Sequence, residues 1–526
     1  MEDPIRVNTS STVSAPDRAV QEGIAGVTEA AEVKRKSLRG GAAVFFNQGY
    51  VIALQIVTTI VLARLLSPAD YGLQAMVLTL TSFFSLFRDA GLSVASVQRE
   101  KLDNQQISTL FWLNIALGLF LMLVVAGAAP LLVKFYKDPR LMWITVASAT
   151  IFFINSLTVQ HRALLDRAMR FTTNVKIDIV SCTIGAVVAV AMAAMGFGYW
   201  ALICQNIALP LVGTILVWIA MPWMPGKPRW TPEMRSMVKF GSTVTLNSLV
   251  VYLAYNAEKV LLGRYWGPGP LGLYSRAYQL ANLPMQQLTG AVGSVAFPML
   301  SRLQGDAGRQ RRSYLRAHSL VVSATVPVVI CCALFADEII GTMLGPKWNG
   351  SAPILRLLAP AILVFSLINP FSWLLRSLGL VQRSLNIALV ICPAMILGVV
   401  AGLRYGPSGV ALGYSMVLVV LMVPLIAWAK YGTGITTDDY WQCVSGPLLA
   451  GLAGGAAGWM FRFAVQAALS PWELLIAEGA IFFAVYLFVL LVVMGQKDVY
   501  LDLLRQIRPA ASPAAEAAAS MSSIGK

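Results

Sequence analysis

Two ionisable residues, Arg88 and Asp89, lie inside an otherwise apolar run of residues 73–97. A run of this length can cross a bilayer as a helix, and each charge within it costs roughly 2.5–3.5 kcal/mol on insertion scales. Adjacent helical residues point about 100° apart, so the two side chains do not neutralise each other on one face. Arg88 either contacts an anionic ligand group or extends to the headgroups. Asp89 either orients that ligand or binds a coupling cation, or it caps a neighbouring helix.

A polar stripe marks another apolar segment, residues 277–300. Gln279, Asn282, Gln286 and Thr289 follow helical spacing and share one face. In lipid such a face must turn inward, towards a cavity or towards a partner helix. If it faces a cavity, these amides are predicted ligand contacts.

Five further polar residues lie in or at the ends of apolar runs. Asn47 and Asn247 either line a cavity or hydrogen-bond between packed helices. Tyr255 is a candidate ligand contact, and Glu258 is either an ion-coupling site or the partner of the lysine that follows it. Arg356 is either a second cationic contact for a ligand or an anchor at the membrane surface.

The composition is that of a membrane protein. Of 526 residues, 57% are hydrophobic and 12% are charged, and the mean hydropathy is +0.68. The apolar residues come in runs of about 20, the length that spans a bilayer as a helix. The sequence predicts an all-α polytopic membrane protein with fourteen spans, at 41–63, 73–97, 110–128, 141–160, 177–195, 199–220, 237–262, 277–300, 316–336, 351–369, 384–402, 409–429, 444–463 and 472–494.

The first half of the chain recurs in the second half. A shift of 200 residues superimposes the first helical hairpin on the seventh and eighth spans without a gap. Repeats of six helices have the same membrane orientation, because six is even. We therefore expect two parallel six-helix lobes facing each other across a central cavity, with two C-terminal helices outside the repeat. Matching pairs include Gly41/Gly241, Asn47/Asn247, Arg64/Arg264, Pro68/Pro268 and Gly72/Gly272.

The distribution of charge predicts the orientation. The formal net charge is +15, and most Lys and Arg residues fall in the tails and in alternate connections, the bias that retains segments in the cytoplasm. This predicts two cytoplasmic termini and explains the basic composition without nucleic-acid binding. The predicted units are a disordered cytoplasmic tail (1–36), two lobes (37–230 and 231–430), helices 13 and 14 (431–495) and a second tail (496–526).

The sequence carries no signature of catalysis, of a cofactor or of a metal centre. It lacks a phosphate-binding loop, a His-Glu-x-x-His motif and a Gly-x-Ser-x-Gly motif. Its 2 His and 6 Cys show no metal-ligand spacing. The expected class is a transporter without enzymatic activity.

Short motifs recur around the two matching hairpins: 62–73 (LARLLSPADYGL), 89–92 (DAGL), 98–99 (QR), 261–267 (LLGRYWG), 271–275 (LGLYS), 278–280 (YQL) and 296–303 (AFPMLSRL). They resemble the polysaccharide transporter (Wzx-type) flippases of the multidrug/oligosaccharidyl-lipid/polysaccharide superfamily. The resemblance covers spans 1–12, and spans 13 and 14 by count only. Where that family often has Asp in helix 7, this chain has Glu258.

The resemblance implies a carrier that moves an undecaprenyl-diphosphate-linked oligosaccharide to the periplasmic leaflet of a bacterial inner membrane. Such a carrier functions in exopolysaccharide, lipopolysaccharide or capsule synthesis. Its candidate partners are polysaccharide polymerase or export proteins. Arg88 suits the diphosphate, because guanidinium binds phosphate through two parallel hydrogen bonds. The alternative is a cation-coupled multidrug antiporter of the same superfamily, whose cavity favours acidic and aromatic residues. A membrane glycosyltransferase would need a larger periplasmic loop.

Overall fold

The structure, a computed structural model, describes residues 47–88, 104–228, 252, 256–465 and 470–495. Within these ranges all regular secondary structure is helical, without a strand. The described part of the first half consists of membrane-length helices joined by short turns and two short helices. In chain order they are α1 (Asn47–Leu65), α2 (Pro68–Arg88), α3 (Asn104–Gly127), α4 (Ala129–Tyr136), α5 (Leu141–Ser156), α6 (Val159–Arg167), α7 (Phe171–Ala194) and α8 (Tyr199–Ala220).

The second half repeats this pattern and adds a final pair of helices. A π-helical turn (Ile340–Leu344) and a 3-10 turn (Pro346–Trp348) follow α12, and a second π-helical turn (Val489–Val493) extends α18. The helices are α9 (256–266), α10 (Pro268–Arg302), α11 (Ala307–Leu334), α12 (Ala336–Ile339), α13 (Ser351–Ile368), α14 (Phe371–Ser377), α15 (Val381–Gly402), α16 (Gly406–Lys430), α17 (Thr437–Val465) and α18 (Pro471–Phe488).

The predicted all-α polytopic membrane fold is confirmed. Each of the fourteen predicted spans overlaps a described helix. The described residues include 10 helical stretches that are long and apolar enough to cross a membrane, one of which combines α15 and α16. Helices α2, α9 and α10 are outside that set, and they carry many of the polar side chains that line the cavities described below.

One boundary differs from the prediction in a way that matters for function. Helix α10 begins at Pro268 rather than at residue 277, because prolines in a first helical turn forfeit no hydrogen bond. Gly267 precedes it with a φ of +79°, which a glycine adopts without strain. Consequently Arg276, which falls in a connection in the sequence prediction, lies inside a helix.

The two halves meet where α2 and α10 pack against each other, at the repeat-related residues Gly72 and Gly272. A Cβ atom on Gly72 would lie 1.7 Å from the carbonyl oxygen of Pro268, and one on Gly272 would lie 1.8 Å from that of Pro68. The contact is therefore reciprocal: each repeat presents its glycine to the proline carbonyl of the other. Only glycine permits two backbones to come this close. The arrangement of the two complete lobes stays a prediction.

A second contact between the halves lies at the same end of these helices. The Trp348 indole N–H donates to the carbonyl oxygen of Ala63 at 2.8 Å, and its ring meets that of Tyr71 edge-on at 5.2 Å. The Arg64 guanidinium donates to the carbonyl oxygen of Thr342 at 2.8 Å. Trp348 is fully buried, in an apolar core that includes residues of both halves.

The last two helices pack on the second half. Helix α17 lies against α11 and α18, and small residues such as Gly451, Gly454 and Gly458 allow the close approach. The Tyr486 hydroxyl donates to the carbonyl oxygen of Ser323 at 2.7 Å. Phe335 and Phe482 form a small separate apolar core between these helices.

We predict that Gly72→Ala destabilises the protein. The added methyl group overlaps the Pro268 carbonyl and forces α2 and α10 apart, and overpacking of this kind typically costs about 1–3 kcal/mol. Thermal unfolding of the purified protein in detergent measures the effect.

Gly269→Ala is the matched control. A Cβ atom there meets no atom within 4 Å, and alanine favours a helix over glycine by about 1 kcal/mol. This variant should unfold at or above the wild-type midpoint. Equal midpoints for the two variants would show that the close contact is absent.

Candidate functional site

Four polar cavities form an adjacent series, and α10 lines three of them. Cavity A (about 350 Å³) lies between α1, α2, α7, α8 and α10, and cavity B (about 380 Å³) lies between α1, α2, α9 and α10. Cavity C (about 320 Å³) lies within the first half, and cavity D (about 480 Å³) lies between α10 and α14. Neighbours share lining residues: Gln279 for A and B, Cys182 for A and C, and Gln286 for B and D.

Arg276 is the cationic residue of cavity A. Its guanidinium carbon lies 3.7 Å from the centre of the Tyr71 ring, a cation–π contact, and its Nη1 donates to Gln279 Oε1 at 2.7 Å. It forms no ion pair with a carboxylate of the described chain. The other polar groups that line the cavity are uncharged amides and hydroxyls: Gln55, Thr58, Thr59, Gln74, Gln205, Asn206 and Gln279.

Lys259 is the cationic residue of cavity B. Its Nζ donates to Asn256 Oδ1 at 2.8 Å and lies 5.0 Å from the centre of the Tyr278 ring. Glu258 Oε1 is 3.9 Å away, a long ion pair. The Glu258 side chain is buried and does not line the cavity. Lys259 therefore brings an ammonium group to the cavity, while its acidic neighbour points into the packed interior.

The polar stripe faces cavities. Gln279, Asn282 and Gln286 line cavity B, and Gln286 and Thr289 line cavity D. The stripe is continuous with Arg276, which precedes Gln279 by three residues and so lies on the same face of α10. One face of this helix thus carries polar groups that line cavities over about 20 Å of its length.

Cavities C and D each add a guanidinium. In cavity C, Arg162 pairs with Asp178 at 2.8 Å, and Asn47 Oδ1 and the Ser181 hydroxyl are buried without a hydrogen-bond partner in the described chain. In cavity D, Arg376 bonds the Ser372 carbonyl oxygen at 3.0 Å and lies over Phe297.

The series of cavities is electropositive. Among the described lining residues, Arg162, Arg276, Lys259 and Arg376 are basic, and the acidic residue Asp178 is already paired. Low-dielectric walls focus this field and raise the local concentration of anions. The arrangement suits a ligand with an anionic group and many hydroxyls.

An apolar cavity of about 570 Å³ borders cavity B and shares Thr79, Tyr252 and Asn256 with it. The Tyr252 hydroxyl donates to the Thr79 carbonyl oxygen at 2.7 Å, so this pair stands between the two spaces. The remaining lining is almost wholly hydrophobic: Met76, Leu80, Phe83, Leu132, Phe135, Tyr136, Ala257, Val260, Leu261 and Ile396.

The other predicted site residues are placed as follows. Arg88 is the last residue of α2, and Asp89, Asn247 and Tyr255 lie outside the described residues. Arg356 pairs with Asp337 at 2.8 Å, with both side chains about half exposed, and it does not line these cavities. Their roles stay predictions.

Sequence reasoning missed Arg276 and Lys259. Both fall beside predicted span ends and look like loop charges. Helical spacing could have identified Arg276, because this residue precedes Gln279 by three positions and therefore continues the polar stripe. Lys259 has no comparable signal, since its exposure to cavity B depends on how α9 packs against α10.

Two solved structures of known function share this fold. The lipid II flippase MurJ in an inward closed conformation superimposes with a TM-score of 0.67 at 15% identity, covering 88% of this chain and 100% of that one. An inward-facing multidrug transporter of the MATE family superimposes with a TM-score of 0.59 at 13% identity, covering 72% and 94%. The chain therefore has the fold of the superfamily that contains both.

Proteins of similar sequence identify the family more narrowly than the shared fold does. The lipopolysaccharide biosynthesis protein WzxC of Escherichia coli is 25% identical over 380 residues, 70% of this chain and 76% of that protein. The teichuronic acid biosynthesis protein TuaB of Bacillus subtilis is 26% identical over 338 residues, 61% and 67%. A sequence model described as polysaccharide biosynthesis protein matches residues 61–353, more than half of the chain. The chain is a multi-pass membrane protein that belongs to the polysaccharide biosynthesis protein family.

Proposed function

We propose that the protein is a flippase that moves an undecaprenyl-diphosphate-linked oligosaccharide from the cytoplasmic to the periplasmic leaflet of a bacterial inner membrane. The observation that carries this proposal is the electropositive, amide-lined series of cavities around α10. Membership of the polysaccharide biosynthesis family supports it, as do relatives named for lipopolysaccharide and teichuronic acid biosynthesis.

Arg276 is the group best placed for the diphosphate. Tyr71 holds one face of its guanidinium and Gln279 accepts from one nitrogen, which leaves further N–H groups for a phosphate oxygen pair. A cation without a carboxylate partner gains most from an incoming anion, because the anion supplies the missing countercharge. The amides of cavities A and B suit sugar hydroxyls.

The polyprenyl chain requires an apolar environment beside this polar path. The apolar cavity next to cavity B offers one, separated from Lys259 and the polar stripe by the Tyr252–Thr79 hydrogen bond. A headgroup in cavity B with its chain in the apolar cavity satisfies both parts of an amphiphilic substrate.

Alternating access follows from the contacts between the halves. The Gly72–Gly272 approach and the Trp348 contacts close one end, which the predicted topology assigns to the periplasm. Cavities B and D extend along α10 towards the other end. Rocking of lobes 37–230 and 231–430 about this contact would transfer the headgroup, with both termini in the cytoplasm and delivery to polymerase or export proteins.

A cation-coupled multidrug antiporter fits the cavity charge less well. The likeness to a multidrug transporter at 13% identity concerns the fold alone. An organic cation would meet Arg276, Lys259 and Arg376 without a free carboxylate among the described lining residues, and such like-charge contacts are repulsive.

We predict that Arg276→Gln abolishes glycan export. In a strain deleted for the chromosomal gene, wild-type protein should restore exopolysaccharide or lipopolysaccharide, whereas the variant should leave lipid-linked oligosaccharide accumulating in the cytoplasmic leaflet. Arg276→Lys keeps the charge without the fork of donors and should restore export partially.

Arg309→Gln is the matched control, because Arg309 pairs with Asp306 at the surface and exposed pairs contribute about 0–1 kcal/mol. It should restore export fully. If Arg276→Gln at normal abundance also restores export, the proposed anion contact is wrong. Unchanged glycan with altered drug resistance in the deletion strain would instead favour the antiporter.

We predict that Cys182 is accessible to water, since it lines cavities A and C. A variant with Cys182 as its single cysteine should react with a water-soluble maleimide, and purified lipid-linked oligosaccharide should slow the reaction. A variant that retains only Cys332, which is buried, should react far more slowly. Equal rates, or no protection by the lipid, would contradict a solvated substrate path.

A further inference from the structure

Glu478, in the second turn of α18, is a buried acid that the proposed transport path does not use. Its side chain is 0% exposed, and neither carboxylate oxygen has a hydrogen-bond partner in the described chain. Every buried polar group is normally paired, and a carboxylate without partners is among the most costly groups to bury. The surroundings of Glu478 must therefore offset the cost of burying its carboxyl group in some way other than these hydrogen bonds.

Among the described residues, the charged groups that face Glu478 come from two elements. Glu338 of α12 and Arg462 of α17 are its electrostatic neighbours. Glu338 Oε1 accepts from Arg462 Nη2 at 2.6 Å, whereas Glu338 Oε2 is buried without a partner in the described chain. Asp337 points away to its surface pair with Arg356. The charged residues of α11, which also packs on α18, are at its far end and begin with Arg309.

The cluster of Glu478, Glu338 and Arg462 has an excess of one negative charge when every group is ionised. With every group ionised, two carboxylates share the single guanidinium of Arg462, and the second carboxylate is buried without a countercharge of its own. One added proton removes the excess charge. It also creates an O–H donor where two carboxyl groups otherwise offer only acceptors.

We propose that Glu478 and Glu338 form a proton-binding site that holds the last two helices against the second half of the molecule. One proton moves from water to a carboxylate oxygen of Glu478, and the new O–H group donates to Glu338 Oε2, while Glu338 Oε1 keeps its bond from Arg462. No other atom or electron is transferred. The site is separate from the cavities around α10, and the proposal does not depend on the substrate of the transporter.

The position of the proton-binding site connects it to the contact between the two halves. Glu338 belongs to the same short segment as Thr342 and Trp348, which contact Arg64 and Ala63 of the first half. The Thr342 hydroxyl also donates to the Glu338 carbonyl oxygen. The proton-binding site is thus linked through a few residues to the Trp348 contact between the two halves.

The first test is infrared difference spectroscopy of the full chain in lipid nanodiscs. At neutral pH the wild-type protein should show the carbonyl band of a protonated carboxylic acid, and a step to high pH should remove it. Glu478→Gln should remove one component of the band, and Glu338→Gln should shift that component, because the acceptor changes. Glu473→Gln, on the exposed face of the same helix, should leave it unchanged.

The second test is thermal unfolding in detergent as a function of pH. Unfolding exposes Glu478 to water and releases its proton near neutral pH, so the wild-type midpoint should fall as pH rises. Glu478→Gln should lose much of that dependence, and Glu473→Gln should keep it. An infrared difference spectrum of Glu478→Gln identical to that of wild type, or a midpoint of this variant with unchanged pH dependence, overturns the proposal. Stabilisation of wild type but not Glu478→Gln by sodium ions at constant pH also overturns it, since the site would then hold a metal ion.

Discussion

The approach of two backbones at Gly72 and Gly272 determines the geometry of the site. Each glycine faces the proline carbonyl of the other repeat, so the separation of α2 and α10 is fixed by main-chain atoms. Tyr71 precedes the first glycine and Arg276 follows the second by one turn. The stack of the Arg276 guanidinium on the Tyr71 ring, at 3.7 Å, therefore exists only while these helices remain this close. A wider crossing would leave the cation without its aromatic support.

The described lining of the cavities is richer in basic than in acidic groups. Arg276, Lys259 and Arg376 line the cavities, while the buried carboxylates Glu258 and Glu478 lie within packed helix interfaces. Arg276 and Arg376 face cavities whose described lining holds no carboxylate, whereas Lys259 has a long contact with Glu258 and Arg162 of cavity C pairs with Asp178. The anionic headgroup of the proposed substrate would meet partly desolvated donors in fixed positions, which gives selectivity as well as attraction.

Hydrophobic run length was sufficient to predict the fold. All fourteen spans overlap described helices, because a run that must satisfy its backbone within a bilayer has no alternative to a helix. The sequence showed the matching Pro68/Pro268 and Gly72/Gly272 pairs, whereas the reciprocal contact between them was found only in the structure. Boundaries were less predictable: Pro268 and Pro270 look like a loop but start α10.

The candidate site was only partly predictable. The polar stripe on α10 was found from its period, since lipid excludes an outward-facing row of amides. Whether the stripe faces a cavity or another helix depends on how α1, α2 and α9 pack against α10. The spacing of polar residues in α10 does not determine that packing. Lys259 and the Glu338–Arg462 pair arise from contacts between distant segments. Arg356 forms a half-exposed ion pair with Asp337, and its role as a ligand contact stays a prediction.

The indole of Trp348 has a kinetic consequence. It is fully buried between the halves and bonds a main-chain carbonyl of the first, so it must be withdrawn before that end can open. Exposing a large aromatic surface costs up to about 4–6 kcal/mol, comparable with a substantial part of an activation barrier. In the proposed alternating-access cycle, exposure of the Trp348 indole therefore contributes to the barrier for opening this end of the molecule.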